Sequence, residues 1–378
     1  MTPADENELA AAIASSREPL VIHGGGTKDV GRPVEGKTLS TSCLTGISRY
    51  EPESLTLVVA AGTSLQEIEH SLSEYRQQLA FEPMDYRHLL GTEGDPTIGG
   101  VVASNSSGPR RIQAGACRDY LLGVRFVDGN GAIVANGGRV MKNVTGYDLV
   151  RLMAGSHGTL GVLTEIALKV LPDSESRACL LLHGLRDDDA IKALTRALCS
   201  PFEVTAAAHI PVGMDGDPVT MIRVEGFIDS VCYRAKRIKE LLKPFGEAEI
   251  ETDPARVASG WKWVRDVEKF HGQDGNVWRV SIKPSDAPHV TAQIRAQLDA
   301  DFIYDWGGGL IWALIPEGVD LRAVCELTNG HATLVRADQE TRRAISPFHP
   351  QPASLSPFVE GLQRKFDPRR ILNPGLMN

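Results

Sequence analysis

Apolar and polar positions change texture once along this chain. Up to Pro172 the apolar runs are short and broken by glycine; beyond it, strands and amphipathic helices follow at regular spacing. The pattern predicts a helix at the N-terminus, with Thr2 as cap, Pro3 in the first turn, and Leu9, Ala12 and Ile13 on one face. The run Pro19, Leu20, Val21, Ile22, His23 reads as a short buried strand that ends at the turn Gly24-Gly25-Gly26-Thr27-Lys28. A strand over 55–61 leads into a capping box, Ser64-x-x-Glu67, and a helix with Ile68, Leu72, Tyr75 and Leu79 along one stripe. Residues 91–119 have little period and much Gly, Ser and Asn, and so long an irregular stretch in a compact domain is usually functional. A hairpin follows, with strands over 124–127 and 132–134 around Asp128-Gly129-Asn130-Gly131. The turn over 155–161 then feeds a strand with Ile166, Leu168 and Val170 alternating.

The second texture reads as β-α-β-β-α-β twice. The first copy has strands over 178–182, 204–209, 219–227 and 248–251, with helices over 187–199 and 229–243. A helical link over 257–270 precedes the second copy: strands 277–282, 302–306, 310–315 and 333–337, helices 288–299 and 319–329. Two ferredoxin-like halves in tandem imply one long, mainly antiparallel sheet with helices on one face. The stretch 346–378, proline-rich and then amphipathic, is expected to return to the first domain. The expected division is therefore 1–175, 176–345 and a tail, 346–378, in an α+β fold.

Composition narrows the chemistry. At 378 residues with 42% hydrophobic and 23% charged, the chain is an ordinary globular one. Its 37 glycines and 22 prolines point to many tight turns. A formal charge of -8 gives no global attraction for nucleic acid or anionic lipid, so a polyanionic ligand needs local backbone donors. The six cysteines are scattered without a C-x-x-C, which argues against a zinc ribbon or an iron–sulfur cluster on this chain. An acidic start and the lack of a long apolar run predict a cytoplasmic chain, reaching a membrane face only through partners.

Three segments could carry chemistry. In Gly24, Gly25, Gly26, Thr27 and Lys28, consecutive N–H groups free of side chains can converge on an anion, with Thr27 and Lys28 as further donors. The motif is neither a Walker loop nor a Rossmann fingerprint, and a plain tight turn is the alternative. In the stretch Asp95, Pro96, Thr97, Ile98, Gly99, Gly100 through Ser104 to Gly108, small residues let backbone lie flat against a ligand; a simple loop is the alternative. The third is Gly155-Ser156-His157-Gly158-Thr159-Leu160-Gly161-Val162, or else only a turn entering a core strand.

Taken together and in this order, the three resemble the FAD-binding domain of the vanillyl-alcohol-oxidase (PCMH-type) flavoproteins, over roughly residues 1–175. Within that family the likeness is nearest to the FAD-binding subunits of bacterial glycolate oxidases. It is carried also by Gly108-Pro109-Arg110-Arg111, by Arg118-Asp119-Tyr120-Leu121-Leu122-Gly123, by Met141-Lys142-Asn143-Val144-Thr145-Gly146-Tyr147-Asp148-Leu149, and by Phe366-Asp367-Pro368-Arg369-Arg370-Ile371-Leu372-Asn373-Pro374-Gly375. More loosely it extends over nearly the whole chain. The resemblance implies a two-subdomain FAD-binding domain in which Gly24, Gly25, Gly26, Thr27 and Lys28 cradle the pyrophosphate. Pro96, Thr97, Gly99, Gly100, Ser104 and Gly108 would line the flavin and ribityl path, Gly158, Gly161 and Val162 the adenine end, and Asn373 would lie near the isoalloxazine. Some relatives link FAD through a histidine of the first loop; here Thr27 takes that position, which implies non-covalent FAD, with His23 a strand-end residue.

One departure bears on activity. The family's hydroxyacid dehydrogenases carry a His-x-Gly-Asp-Gly-Asn-x-x-His-like segment in the C-terminal sheet, whereas this chain reads Tyr304-Asp305-Trp306-Gly307-Gly308-Gly309-Leu310-Ile311-Trp312. His271, His289 and His331 stand alone, and Asp305 reads as a turn residue, so no catalytic residue and no metal ligand is assigned. The resemblance then implies a division of labour. This subunit holds FAD, a sister FAD-containing subunit with intact histidines oxidises glycolate or another small 2-hydroxyacid to the oxo acid, and an iron–sulfur subunit passes electrons to the quinone pool. A stand-alone 2-hydroxyacid dehydrogenase and a non-catalytic structural flavoprotein are the alternatives. Arg110, Arg111, Trp261 and Trp263 read either as a partner interface or as ordinary surface arginines and core tryptophans.

Overall fold

A computed structural model describes residues 1–138 and 146–378; the segment Met141 to Thr145 of the motif quoted above lies outside the described residues. The chain forms two units. One comprises Met1–Ser107, Ala116–Asp173 and Pro350–Asn378, the other Gly108–Gly115 and Ser174–His349. Among the described residues no helix is long and apolar enough to cross a membrane.

The first unit has two parts. Helix α1 (Glu6–Ser15) lies beside a parallel pair, β1 (Leu20–His23) and β2 (Lys37–Ser40). The cap of α1 is Asp5 rather than Thr2: its carboxylate accepts the N–H groups of Asn7 and Glu8, so the helix begins three residues past Pro3. The second part is an antiparallel sheet in the order β3 (Ile47–Glu51), β4 (Thr56–Ala60), β8 (Val162–Lys169), β6 (Leu121–Val127), β7 (Ile133–Gly137). Two short strands, β5 (Gln77–Gln78) and β9 (Leu171–Pro172), pair separately. The capping box forms as read, Ser64 Oγ accepting the Glu67 N–H at 3.1 Å to start α2 (Leu65–Ser73). Helix α3 (Arg87–Leu90) precedes the irregular stretch, which contains only short helices, α4 (Ile98–Ala103) and α5 (Arg111–Ala114), and a 3₁₀ turn, Cys117–Tyr120; α6 (Leu149–Met153) follows later.

The C-terminal tail packs on this unit through α12 (Ser356–Phe366) and the turn after it. Leu20 N–H donates to Ile371 O at 2.6 Å, and the Arg369 guanidinium donates to the carbonyls of Gly129, Ile13, Ala14 and Ser16. Leu9, Ile13, Leu20, Leu39, Val127, Val162, Ile371 and Leu372 share one core, so the last residues of the chain close the same interior as the first.

The second unit is one eight-stranded antiparallel sheet. Its first half consists of β10 (Ser176–His183), β11 (Ala206–Ile210), β12 (Val219–Gly226) and β13 (Ala248–Glu251); its second half consists of β14 (Asn276–Ser281), β15 (Asp301–Asp305), β16 (Leu310–Ile315) and β17 (His331–Arg336). The order β13-β10-β12-β11-β15-β16-β14-β17 is a ferredoxin-like order followed by its mirror. Helices α7 (Asp187–Leu198), α8 (Ile228–Leu242) and α10 (Ala287–Arg295) cover one face through Leu180, Leu182, Leu194, Ile222, Val224, Ile294 and Trp278. Short α5 (Arg111–Ala114) and α11 (Gln339–Ala344) complete the unit.

Two expectations change here. The helix read over 319–329 is only a 3₁₀ turn, Leu321–Ala323. Leu321 is buried in the core and Val319, Val324, Cys325 and Leu327 pack against it without a helix, while Glu326 N–H donates to Gln293 Oε1 at 3.1 Å instead of up a helix. The link forms α9 (Pro254–Arg265), capped by Asp253, but on the opposite sheet face from the other helices. It packs there because Cys179, Leu181 and Met221 alternate with the residues facing α7 and α8.

Candidate functional site

The first unit brings the glycine stretches together by backbone approach. A Cβ on Gly24 would lie 2.6 Å from Thr97 Oγ1, and one on Gly25 only 1.6 Å from Asp95 O. From the other side, a Cβ on Gly94 would meet Gly25 O at 2.2 Å, and one on Gly99 would meet Ala61 O at 2.7 Å. The two loops are thus pressed together where only glycine fits. Thr97 caps α4 by accepting the Gly100 N–H, and Pro96 O accepts the Leu65 N–H, which fixes this stretch to the start of α2.

Packed in this way, the loop leaves its donors unspent. Among the described residues no acceptor takes the main-chain N–H of Gly24, Gly25, Gly26, Thr27 or Lys28. A run of five unused amides is costly unless water or an anion receives them, and it matches what a diphosphate offers. Lys28 adds its charge. Its Nζ donates to Ser104 Oγ at 3.1 Å, lies near Gly100 O, and sits 5.3 Å from the centre of the Tyr86 ring. Burial lowers this ammonium to about 8, against the opposing pull of Cys117 and Asp85, and no carboxylate is within ion-pair distance of it among the described residues.

The third stretch joins the same place. His157 N–H donates to Ala103 O at 2.9 Å and Gly155 N–H to Val102 O at 3.1 Å, tying it to the end of α4. Burial, and then the charge of Lys28, lower His157 to about 4, so the imidazole is neutral at pH 7. Asn373 ties the tail in: its Oδ1 accepts the Ile22 N–H and its Nδ2 donates to His157 O, both at 2.8 Å. The amide is therefore a brace between β1 and the third turn. Because a Cβ on Gly158 would come within 3.0 Å of Asn373 Nδ2, these two residues belong to one location and do not mark opposite ends of a ligand.

Other expected positions have packing duties. Gly161 lacks a side chain because Phe126 Cδ2 would lie 2.6 Å from its Cβ, and Val162 is a core residue opposite Val127. Gly108 falls in the second unit, where its carbonyl accepts the Trp306 indole N–H at 3.0 Å. Sequence reading missed Tyr86, and it quoted Asp95 and His157 within the second and third segments without giving either a role. Nothing local marks Tyr86.

In the second unit, Trp306 occupies the hairpin where the resembled dehydrogenases carry histidine. It has a positive φ of 54°, and two guanidiniums lie over its indole, Arg279 at 5.0 Å and Arg111 at 5.9 Å. Asp305 is buried and its Oδ1 accepts the Trp306 N–H at 2.7 Å, so it is a turn brace. Arg110 and Trp261 are interior rather than interface residues. Arg110 donates to Glu225 at 2.7 and 2.9 Å, and Trp261 stacks on Arg223. His271 bonds Asp266 O and His289 contacts Gln293, while His331 lies at the surface. Among the described residues, no group of three or more His, Cys, Asp or Glu is placed to hold a metal ion.

The FAD binding domain model matches residues 1–137. The glycolate oxidase subunit GlcE of Escherichia coli (strain K12) is 36% identical over 367 residues, 96% of this chain and 93% of that protein. The chain belongs to the family of FAD-binding glycolate oxidase subunits. It is an FAD-dependent oxidoreductase of PCMH type. Glycolate oxidase subunit GlcD of Bacillus subtilis (strain 168) is 30% identical over 60% of this chain and 47% of its own length. An alkyldihydroxyacetonephosphate synthase structure superposes with a TM-score of 0.68 at 17% identity, covering 99% of this chain and 76% of that one, which shows the shared fold. The family's cofactor fits what the first unit presents: five amides with no acceptor and a cation with no ion-pair partner among the described residues, and walls in which a Cβ would clash.

Proposed function

We propose that this chain is the FAD-holding, electron-carrying subunit of a multi-subunit oxidase that converts glycolate, or another small 2-hydroxyacid, to the oxo acid, and that it does not itself take the substrate's proton. The amide cradle of residues 24–28 carries the first half of this reading. Thr27 stands where a linking histidine would be, so FAD is held non-covalently.

The second half rests on the Trp306 hairpin. Bound FAD supplies a ring that accepts hydride; the protein must supply a base for the hydroxyl proton and a cation for the carboxylate. Asp305 is spent on a backbone N–H and the indole has no basic atom. The proton chemistry is then assigned to a sister FAD-containing subunit with the histidines intact, and onward transfer to an iron–sulfur subunit and the quinone pool. Association with the cytoplasmic face of a membrane would come through those partners. That the Escherichia coli and Bacillus subtilis relatives are called subunits supports a multi-chain assembly.

The test is anaerobic flavin reduction. The purified chain reconstituted with FAD should stay yellow with glycolate and bleach once partner chains are added. Bleaching by glycolate alone makes it a stand-alone dehydrogenase, and flavin that stays oxidised during turnover of the full complex makes it structural. Flavin that remains attached after acid precipitation refutes non-covalent binding.

A further inference from the structure

The second unit contains a cavity of about 330 Å³ that the flavin reading does not use. It opens on the sheet face away from α7 and α8. Along β10 and β12 that face runs from ionic to apolar, with Arg177 opposite Glu225, Cys179 opposite Arg223, Leu181 opposite Met221 and His183 opposite Val219. Helix α9 covers the ionic end, where Trp261 stacks on Arg223 at 4.9 Å. It can approach because Gly260 faces Met221, whose Cε would be 3.2 Å from a Cβ there. Beyond Gly260 the helix and sheet leave a gap floored by Leu181 and Met221 and walled by Val257 and Trp263. Met214 lines it from the 213–217 turn, with most of its side chain in solvent.

The mouth decides the polarity of the occupant. Glu251 is paired with Arg256 at 3.2 Å, so those charges cancel. Asp215 and Asp217, on the same turn as Met214, have no ion-pair partner among the described residues. An apolar slot with one aromatic wall and two uncompensated carboxylates at its rim suits a cation with an apolar body and rejects an anion of the same shape. We propose that this cavity is a binding site for a small amine with an aromatic or short aliphatic body, its nitrogen at Asp215 and Asp217 and its body against Trp263, Leu181 and Met221.

Two fluorescent probes of one ring and opposite charge test this on the FAD-reconstituted chain: monodansylcadaverine, an amine, and dansylglycine, a carboxylate. The amine should bind saturably and quench tryptophan emission by energy transfer, at least about tenfold more tightly than the acid, a ratio that corresponds to about 1.4 kcal/mol. The double variant Asp215→Asn/Asp217→Asn, on an exposed turn, should bring the two probes to near parity, and Leu181→Trp should abolish binding of both. Circular dichroism melting confirms that each variant is folded; if Leu181→Trp is not, Val219→Phe replaces it. Absence of saturable amine binding, equal affinity for the two probes in the unsubstituted chain, or unchanged binding in a folded cavity-filled variant each overturns the proposal. Flavin content and glycolate bleaching report on the first unit and the oxidase reading independently of these outcomes.

Discussion

Gly25→Ala is the sharpest perturbation of the cofactor cradle. The added methyl would sit 1.6 Å from Asp95 O and 2.7 Å from Asp95 C, so the Asp95 peptide must retreat until the first separation nearly doubles. It has no room to slide sideways, because Gly94 is already pressed against Gly25 O. The cost to the fold alone is that of an overpacked interior, roughly 1–3 kcal/mol. The cost to binding comes from moving five amides relative to Lys28 and α4, and a displacement on the order of 1 Å in a positioned site is worth about a hundredfold. At an FAD concentration 100 times the dissociation constant, the unsubstituted chain gains about 2.7 kcal/mol from the cofactor; after a hundredfold loss it gains roughly 0.4 kcal/mol. For a unit of this size each kcal/mol shifts the melting temperature by roughly 2–4 °C. The FAD-dependent rise in melting temperature should therefore shrink from roughly 5–10 °C to about 1 °C, measured by thermal melting with and without FAD. Gly361→Ala is the control, since its Cβ meets nothing within 4 Å and it lies inside α12. If Gly25→Ala keeps FAD affinity and the full melting shift, the cradle is misassigned.

The other expectations concern stability and chemistry elsewhere. Burial tends to raise Glu225, but the guanidiniums of Arg223 and Arg110 outweigh that and hold it at about 2, against an ordinary 4.5. The carboxylate thus contributes roughly 3 kcal/mol above pH 4.5, lost progressively as pH falls toward 2; Glu225→Gln should remove most of that acid-limb dependence in denaturant titrations and destabilise the chain by roughly 3–5 kcal/mol. The two sheet halves meet at one register pair, His209 opposite Tyr304, bridged by Asp187, which takes bonds from Tyr304 OH at 2.6 Å and Arg295 at 2.5 Å. Tyr304→Phe should cost roughly 1–2 kcal/mol by chemical denaturation with flavin content unchanged. Gly361→Ala itself should stabilise by about 0.5–1 kcal/mol if α12 is helical in solution. Of the six thiols, exposed Cys43, Cys199 and Cys232 should react at once with a disulfide reagent, whereas buried Cys117 and Cys179 and half-buried Cys325 should wait for unfolding.

Local pattern determined a good deal of this protein. The glycine run at 24–26, the Ser64 box, the hairpin around Asp128 and the tandem repeat after Pro172 all follow from periodicity, caps and residues that permit tight approach, and each acts within a few positions of itself. The missing histidine pair at 304–312 was also legible, because an absent residue type needs no coordinates. Tertiary structure decided whatever depends on partners distant in sequence. Asn373, 216 residues from His157, became a brace between β1 and the third turn; Arg110 turned inward because Glu225, 115 residues away, was there to neutralise it. The 319–329 segment has an amphipathic pattern, but its apolar side chains reach the core from a 3₁₀ turn, so burial was achieved without the helix that would ordinarily deliver it. Propensity and periodicity specify what a segment can do alone; burial, charge pairing and close backbone contact are properties of pairs, and the pairs exist only after the chain has folded.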